Sequence, residues 1–202
     1  MGQIFPNEEA SGAFGQNRDS PPAPNGWDKE SIWNMRVEGF NDNQGRPIYQ
    51  PLVVNQSGRE ILYLGNRAGN ILNPSTGKVE PNGTSIIDVT DVKNPKFLFH
   101  IPGPAGTVGN AGAQMARICG GDTLPHGEKG KWYLLRAFGN VGPDESHQVW
   151  DVTDPAAPTP ITTIVSGLSN THKNWWECDT GIVIWSLAAR PTAGIRADRR
   201  SI

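Results

Sequence analysis

Thr84-Ser-Ile-Ile-Asp-Val-Thr-Asp91-Val-Lys-Asn-Pro95 is written a second time, 63 positions on, as His147-Gln-Val-Trp-Asp-Val-Thr-Asp154-Pro-Ala-Ala-Pro158. In both copies a short apolar run ends in Asp-Val-Thr-Asp, three residues follow, and a proline closes the unit. A second apolar run comes next, Lys96–Ile101 in one copy and Pro160–Val165 in the other. The β-branched Ile86, Ile87 and Val89 suit a pleated, mostly buried strand. Asp88, Asp91, Asp151 and Asp154, with Thr90 and Thr153, carry side-chain oxygens able to bond backbone N–H groups a residue or two on, which closes a turn. Pro95 and Pro158 lack an N–H and fit a turn or a strand entry. The unit therefore reads as two strands joined by a tight turn. Its repetition points to a propeller or solenoid of short strands.

Working outward, the same pattern extends to four strands per unit. Pro51–Val54 reads as a first, inner strand, turned at Asn55-Gln-Ser-Gly58 into Ile61–Leu64. Thr84–Val89 and Lys96–Ile101 complete that unit. The second unit reads Ala113–Cys119, a polar loop Gly120–Gly130, Trp132–Ala137, His147–Val152 and Pro160–Val165. A third begins at Trp175–Asp179 and turns at Thr180-Gly181 into Ile182–Trp185. The inner strands start at positions 51, 113 and 175, a spacing of 62 each time, which suits a propeller blade with generous loops. The expected fold is all-β: a partial β-propeller of about two full four-stranded blades plus parts of others.

Composition agrees with many turns and short strands. Among 202 residues there are 24 glycines and 17 prolines. A net charge of −2 leaves no electrostatic footprint for nucleic acid or an anionic membrane. No run approaches the roughly 18–20 apolar residues that span a bilayer, so no membrane insertion is expected. Met1-Gly-Gln-Ile-Phe-Pro6 lacks the basic and apolar regions of a secretory signal. Residues 1–32 are polar and breaker-rich and read as an extended or disordered arm. Residues 33–185 carry the repeats, beginning with a strand expected over Trp33–Phe40. Residues 186–202 form an atypical tail with Arg190, Arg196, Arg199 and Arg200 against Asp198.

The Asp-Val-Thr-Asp-x-x-x-Pro units resemble the LVIVD-repeat β-propeller proteins. Asn82-Gly-Thr-Ser-Ile-Ile-Asp-Val-Thr-Asp91, Gly112-Ala-Gln-Met-Ala-Arg117 and Thr171-His-Lys-Asn-Trp-Trp-Glu-Cys-Asp-Thr-Gly181 look like one bacterial branch of that family. The resemblance covers about residues 33–183. It implies a propeller and, commonly, export to the periplasm or the exterior, and it brings no catalytic mechanism. It breaks off after Ile182, as a truncated or frame-shifted C-terminus would; a genuine basic tail is the other reading.

The densest chemistry lies in Thr171–Asp179. His172, Trp175, Trp176, Glu177 and Asp179 are the candidate ligand-binding residues, because an inner strand of a propeller borders its axial channel. His172 and Cys178 could ligate a metal with Glu177 or Asp179 orienting the imidazole. Alternation along a strand prevents Glu177 and Cys178 from sharing a face, however, and one strand cannot close a four-ligand site. Packing of the tryptophans between blades is the plainer reading, and no cofactor is expected. Cys119 and Cys178, the only cysteines, form no CxxC and are expected to be buried free thiols. Three functions stay open. The favoured one is a non-catalytic binding or scaffold module with a protein partner. The others are a propeller enzyme with a channel site, and an assembly component that self-associates through open sheet edges.

Overall fold

A computed structural model describes residues 38–67, 69–104, 115–139, 145–168 and 171–187, apart from the side chains of residues 172, 186 and 187. The proposed arm, residues 33–37 of the expected Trp33–Phe40 strand, and residues 188–202 of the tail lie outside them. The described chain is all-β, with several small antiparallel sheets that do not close into a ring.

The first sheet joins β1 (Ile48–Gln56), β2 (Arg59–Asn66), β5 (Thr84–Asp88) and β6 (Lys96–Ile101) in that order. A short hairpin, β3 (Asn70–Asn73) and β4 (Lys78–Pro81), is inserted between β2 and β5. The second sheet runs β7 (Ala116–Gly120), β8 (Trp132–Phe138), β9 (Glu145–Asp151) and β10 (Thr159–Leu168) as an uninterrupted meander. β11 (Thr171–Glu177) and β12 (Ile182–Leu187) make a two-stranded third sheet. β12 thus reaches two residues into the stretch read as tail. Glu38–Phe40, the described end of the expected Trp33–Phe40 strand, makes no strand pairing. Gly39 instead lies so close to the Val92 carbonyl that a Cβ could not be placed there.

The repeated turns are built alike. Asp88 Oδ1 accepts the Thr90 N–H at 2.9 Å, and Asp151 Oδ1 accepts that of Thr153 at 2.9 Å. Asp91 Oδ1 takes the Lys93 N–H at 3.1 Å, and Asp154 Oδ1 takes that of Ala156 at 3.0 Å. Each of these aspartates therefore satisfies a backbone donor two residues on, within its own turn. Arg59 also reaches Asp88 at 2.8 Å, while Lys131 sits 3.5 Å from Asp151.

Period-2 alternation decides how the sheets stack. Ile61, Tyr63, Ile86 and Ile101 of the first sheet bury with Ala116, Leu134 and Val152 of the second. Tyr133, Leu135, Val149 and Cys119 point the other way, into a second cluster with Trp176 of the third sheet. The second sheet is buried on both faces. At roughly 1.5–3 kcal/mol for each large side chain fully buried, these two clusters hold the stack together. Gln56 adds a polar tie: its amide donates to the Val152 carbonyl at 2.6 Å while its Oε1 accepts from Tyr63 Oη at 2.7 Å.

Cys119 and Cys178 are joined by a disulfide, with Cα atoms 5.5 Å apart, which corrects the expectation of free thiols. Cys178 is not on the strand but in the turn just after β11, and β11 packs directly on β7 and β8.

Candidate binding site on the inner strands

The first strands of the three sheets lie beside one another, β1 against β7 and β7 against β11. Along β11 the side chains alternate. Asn174 and Trp176 are buried toward the second sheet, whereas Lys173, Trp175 and Glu177 are exposed. Among the candidate residues, Trp176 is therefore a core residue, in the cluster around the disulfide. Its Nε1 is buried without a hydrogen-bond partner. Asp179 is exposed in the turn beyond β11. His172 lies on β11 by its backbone, and its side chain is outside the description.

Trp175 and Glu177 are brought together. The Trp175 indole Nε1–H donates to Glu177 Oε2 at 2.8 Å. Over the same indole ring stands Arg117, its guanidinium carbon 5.1 Å from the centroid. Arg117 comes from β7, and its half-burial lowers its affinity for its proton. Its Nη1 donates to the Ala116 carbonyl at 3.0 Å, and its Nε is buried with no partner. The result is a row of guanidinium, aromatic ring and carboxylate across two adjacent inner strands. Such a row offers a stacking face, a donor and an acceptor, which suits recognition of a polar or charged group. Arg117 was not singled out from sequence. The alternation Ala116-Arg-Ile-Cys119, with Ile118 half-buried against the first sheet, was the available signal.

A second polar group lies between β9 and β11. His147 Nε2–H donates to Thr171 Oγ1 at 2.6 Å, and Asn174 Nδ2 donates to His147 Nδ1 at 3.2 Å. The Glu145 carboxylate accepts the Thr171 N–H. Burial holds the His147 imidazole neutral, lowering its pKa to about 4. With both ring nitrogens engaged, this group fastens the third sheet to the second. The role assigned to it is structural.

Among the described residues, no group of three or more His, Cys, Asp or Glu side chains is placed to hold a metal ion. Cys178 is consumed by the disulfide and offers no thiolate, so the proposed His172–Cys178 ligation is corrected. No described helix is long and apolar enough to cross a membrane. No family model, no curated protein and no solved structure matches the chain.

Proposed function

We propose that the protein is a non-catalytic binding or scaffold module of β-propeller type, akin to the LVIVD-repeat proteins, and that it engages a protein partner through its inner strands. One observation carries this reading. Two four-stranded meanders with identically capped turns stack face to face, with β1 and β7 side by side, as neighbouring propeller blades do. The row Arg117–Trp175–Glu177 is the recognition surface, since an aromatic face flanked by both charges anchors a partner's side chain. The Cys119–Cys178 disulfide favours an oxidising location, periplasmic or extracellular.

The test is retention of a partner by immobilised protein from an extract of its source, with elemental analysis of the same preparation. A partner held by wild type and lost at least tenfold by Trp175→Ala and by Arg117→Ala supports the reading. Equal retention by all three removes the site. A stoichiometric transition metal in the protein replaces the module with an enzyme.

A further inference from the structure

Among the described residues the stack ends in two faces that no further sheet covers, and the repeat says what each is shaped to receive. Pairing Ile61 with Asp88 in the first sheet and Tyr133 with Asp151 in the second superposes the two sheets residue by residue. Leu62, Ile87 and Val89 then coincide with Leu134, Trp150 and Val152. The cross-strand pair Val53–Leu62 coincides with Ile118–Leu134. In the second sheet, these back-facing residues are packed into the cluster shared with the first sheet. In the first sheet their counterparts meet no other sheet among the described residues. Ile48, Leu62, Leu64, Ile87, Val89 and Val92 line a groove of 380 Å³ there, rimmed by residues 38–41; Leu64 and Ile87 form its covered floor, and Ile48 and Val92 are exposed at its mouth. Val53 on the same face is 54% exposed.

The other end is the complement. On the third sheet, Trp176 and Val183 face back into the second cluster, as Ile118 and Leu134 face back into the first. Ile182 and Ile184 therefore face forward, the direction in which Tyr133 and Leu135 of the second sheet, and Ile61 and Tyr63 of the first, are buried. They are 51% and 60% exposed. Forward face on back face is a contact this chain already makes twice, first sheet on second and second on third. The two end faces cannot meet within one chain, because the second sheet lies between them.

We propose that the occupant of each end is a second copy of this chain, associating head to tail: Ile182 and Ile184 of one copy seat on Val53 of the next and on Ile48 and Val92 at the mouth of its groove. Like the internal contacts it repeats, this contact joins two different surfaces, so it propagates into a ring or a filament and not a two-fold dimer. It rests on the surface of the proposed function, since Trp175 pairs across from Ile184 and Glu177 from Ile182, so the second copy is the partner that covers the Trp175–Glu177 part of the row. A monomer that still binds a partner through Trp175 would sink this proposal and leave the function above intact.

Two variants test it, Val53→Asp and Ile184→Asp. Both positions are more than half exposed, so the fold tolerates the charge, whereas a desolvated contact does not. By sedimentation from about 1 to 100 μM, the weight-average mass of wild type should at least double. Each variant alone should stay monomeric. An equimolar mixture of the two should form dimers, because each retains the end that the other has lost. The proposal is overturned if wild type is a monomer throughout, if either variant associates as wild type does, or if the mixture remains monomeric while wild type associates.

Discussion

Thr90 and Thr153 make the same bond on different sheets. Each hydroxyl accepts a backbone N–H from the first two residues of the neighbouring strand, that of Glu60 for Thr90 and that of Trp132 for Thr153, both at 3.0 Å. The next backbone bond is repeated too: Val89 N–H to the Glu60 carbonyl and Val152 N–H to the Trp132 carbonyl, both at 2.9 Å. The repeated motif therefore does more than close its own turn. It fastens the end of the third strand of each sheet to the start of the second. Thr153→Val keeps the shape and loses the acceptor, and should cost about 1 kcal/mol, while Thr153→Ser should cost less than half of that. Urea midpoints at constant slope measure both, and equal values for the two variants would contradict the role.

Reduction should loosen one end of the molecule selectively. The disulfide spans 59 positions, and closing a loop of that size stabilises by about 4 kcal/mol in the chain-entropy account. Cys178→Ser, or wild type in reductant, should melt roughly 10 °C lower. Hydrogen exchange should rise first in β11 and β12, because β1 and β2 are held by the other cluster. Uniform exchange across all three sheets would argue against this order.

Arg136 is fully buried between the first and second sheets. Its guanidinium donates to the Ile101 carbonyl at 3.1 Å, to the Pro102 carbonyl at 3.0 Å and to Gln148 Oε1 at 3.0 Å. It also lies 5.0 Å from the Trp150 ring centroid. A planar fork is needed to reach both sheets and stack at once. Arg136→Lys should therefore destabilise by about 3 kcal/mol, nearly as much as Arg136→Ala. A lysine variant as stable as wild type in thermal melts would show that charge alone suffices.

Acid should weaken the fold in two stages. Burial lowers His100 and His147 from 6.5 to about 4, so between those values the unfolded chain binds protons that the folded chain refuses. Stability must then fall as pH drops from about 6.5 to 4, by on the order of 3 kcal/mol for each histidine. Asp88 is held at about 2 by hydrogen bonding to Thr90, and then by Arg59, so its contribution is present above 3.8 and is lost as pH falls toward 2. Chemical denaturation at a series of pH values gives the slope. The double variant His100→Gln, His147→Gln should flatten it in the upper window only.

What could be read from the residues follows from how far each interaction reaches. The Asp-Val-Thr-Asp turns were legible because an aspartate bonding an N–H two residues away depends on nothing else. The sheet order followed from them, since short loops join antiparallel neighbours. The β3–β4 hairpin was passed over, because Ile71-Leu72 and Val79 on either side of Asn73–Gly77 are too short a signal to outweigh the polar residues around them. The Cys119–Cys178 bond and the Arg117–Trp175 contact both depend on how closely β11 settles on β7, a distance set by the packing of Trp176, Tyr133 and Leu135. Side chains more than fifty positions apart meet only after that packing exists.

The disulfide also puts an order on assembly. Cys119 lies near the end of the first strand of the second sheet, and its partner is made only after β8, β9 and β10 have been synthesised. On a chain emerging from the ribosome, the covalent link thus arrives last, after the meander it crosses has had time to form. It can record a correctly stacked second sheet but cannot template one, so an oxidant supplied too early finds Cys119 with no intramolecular partner.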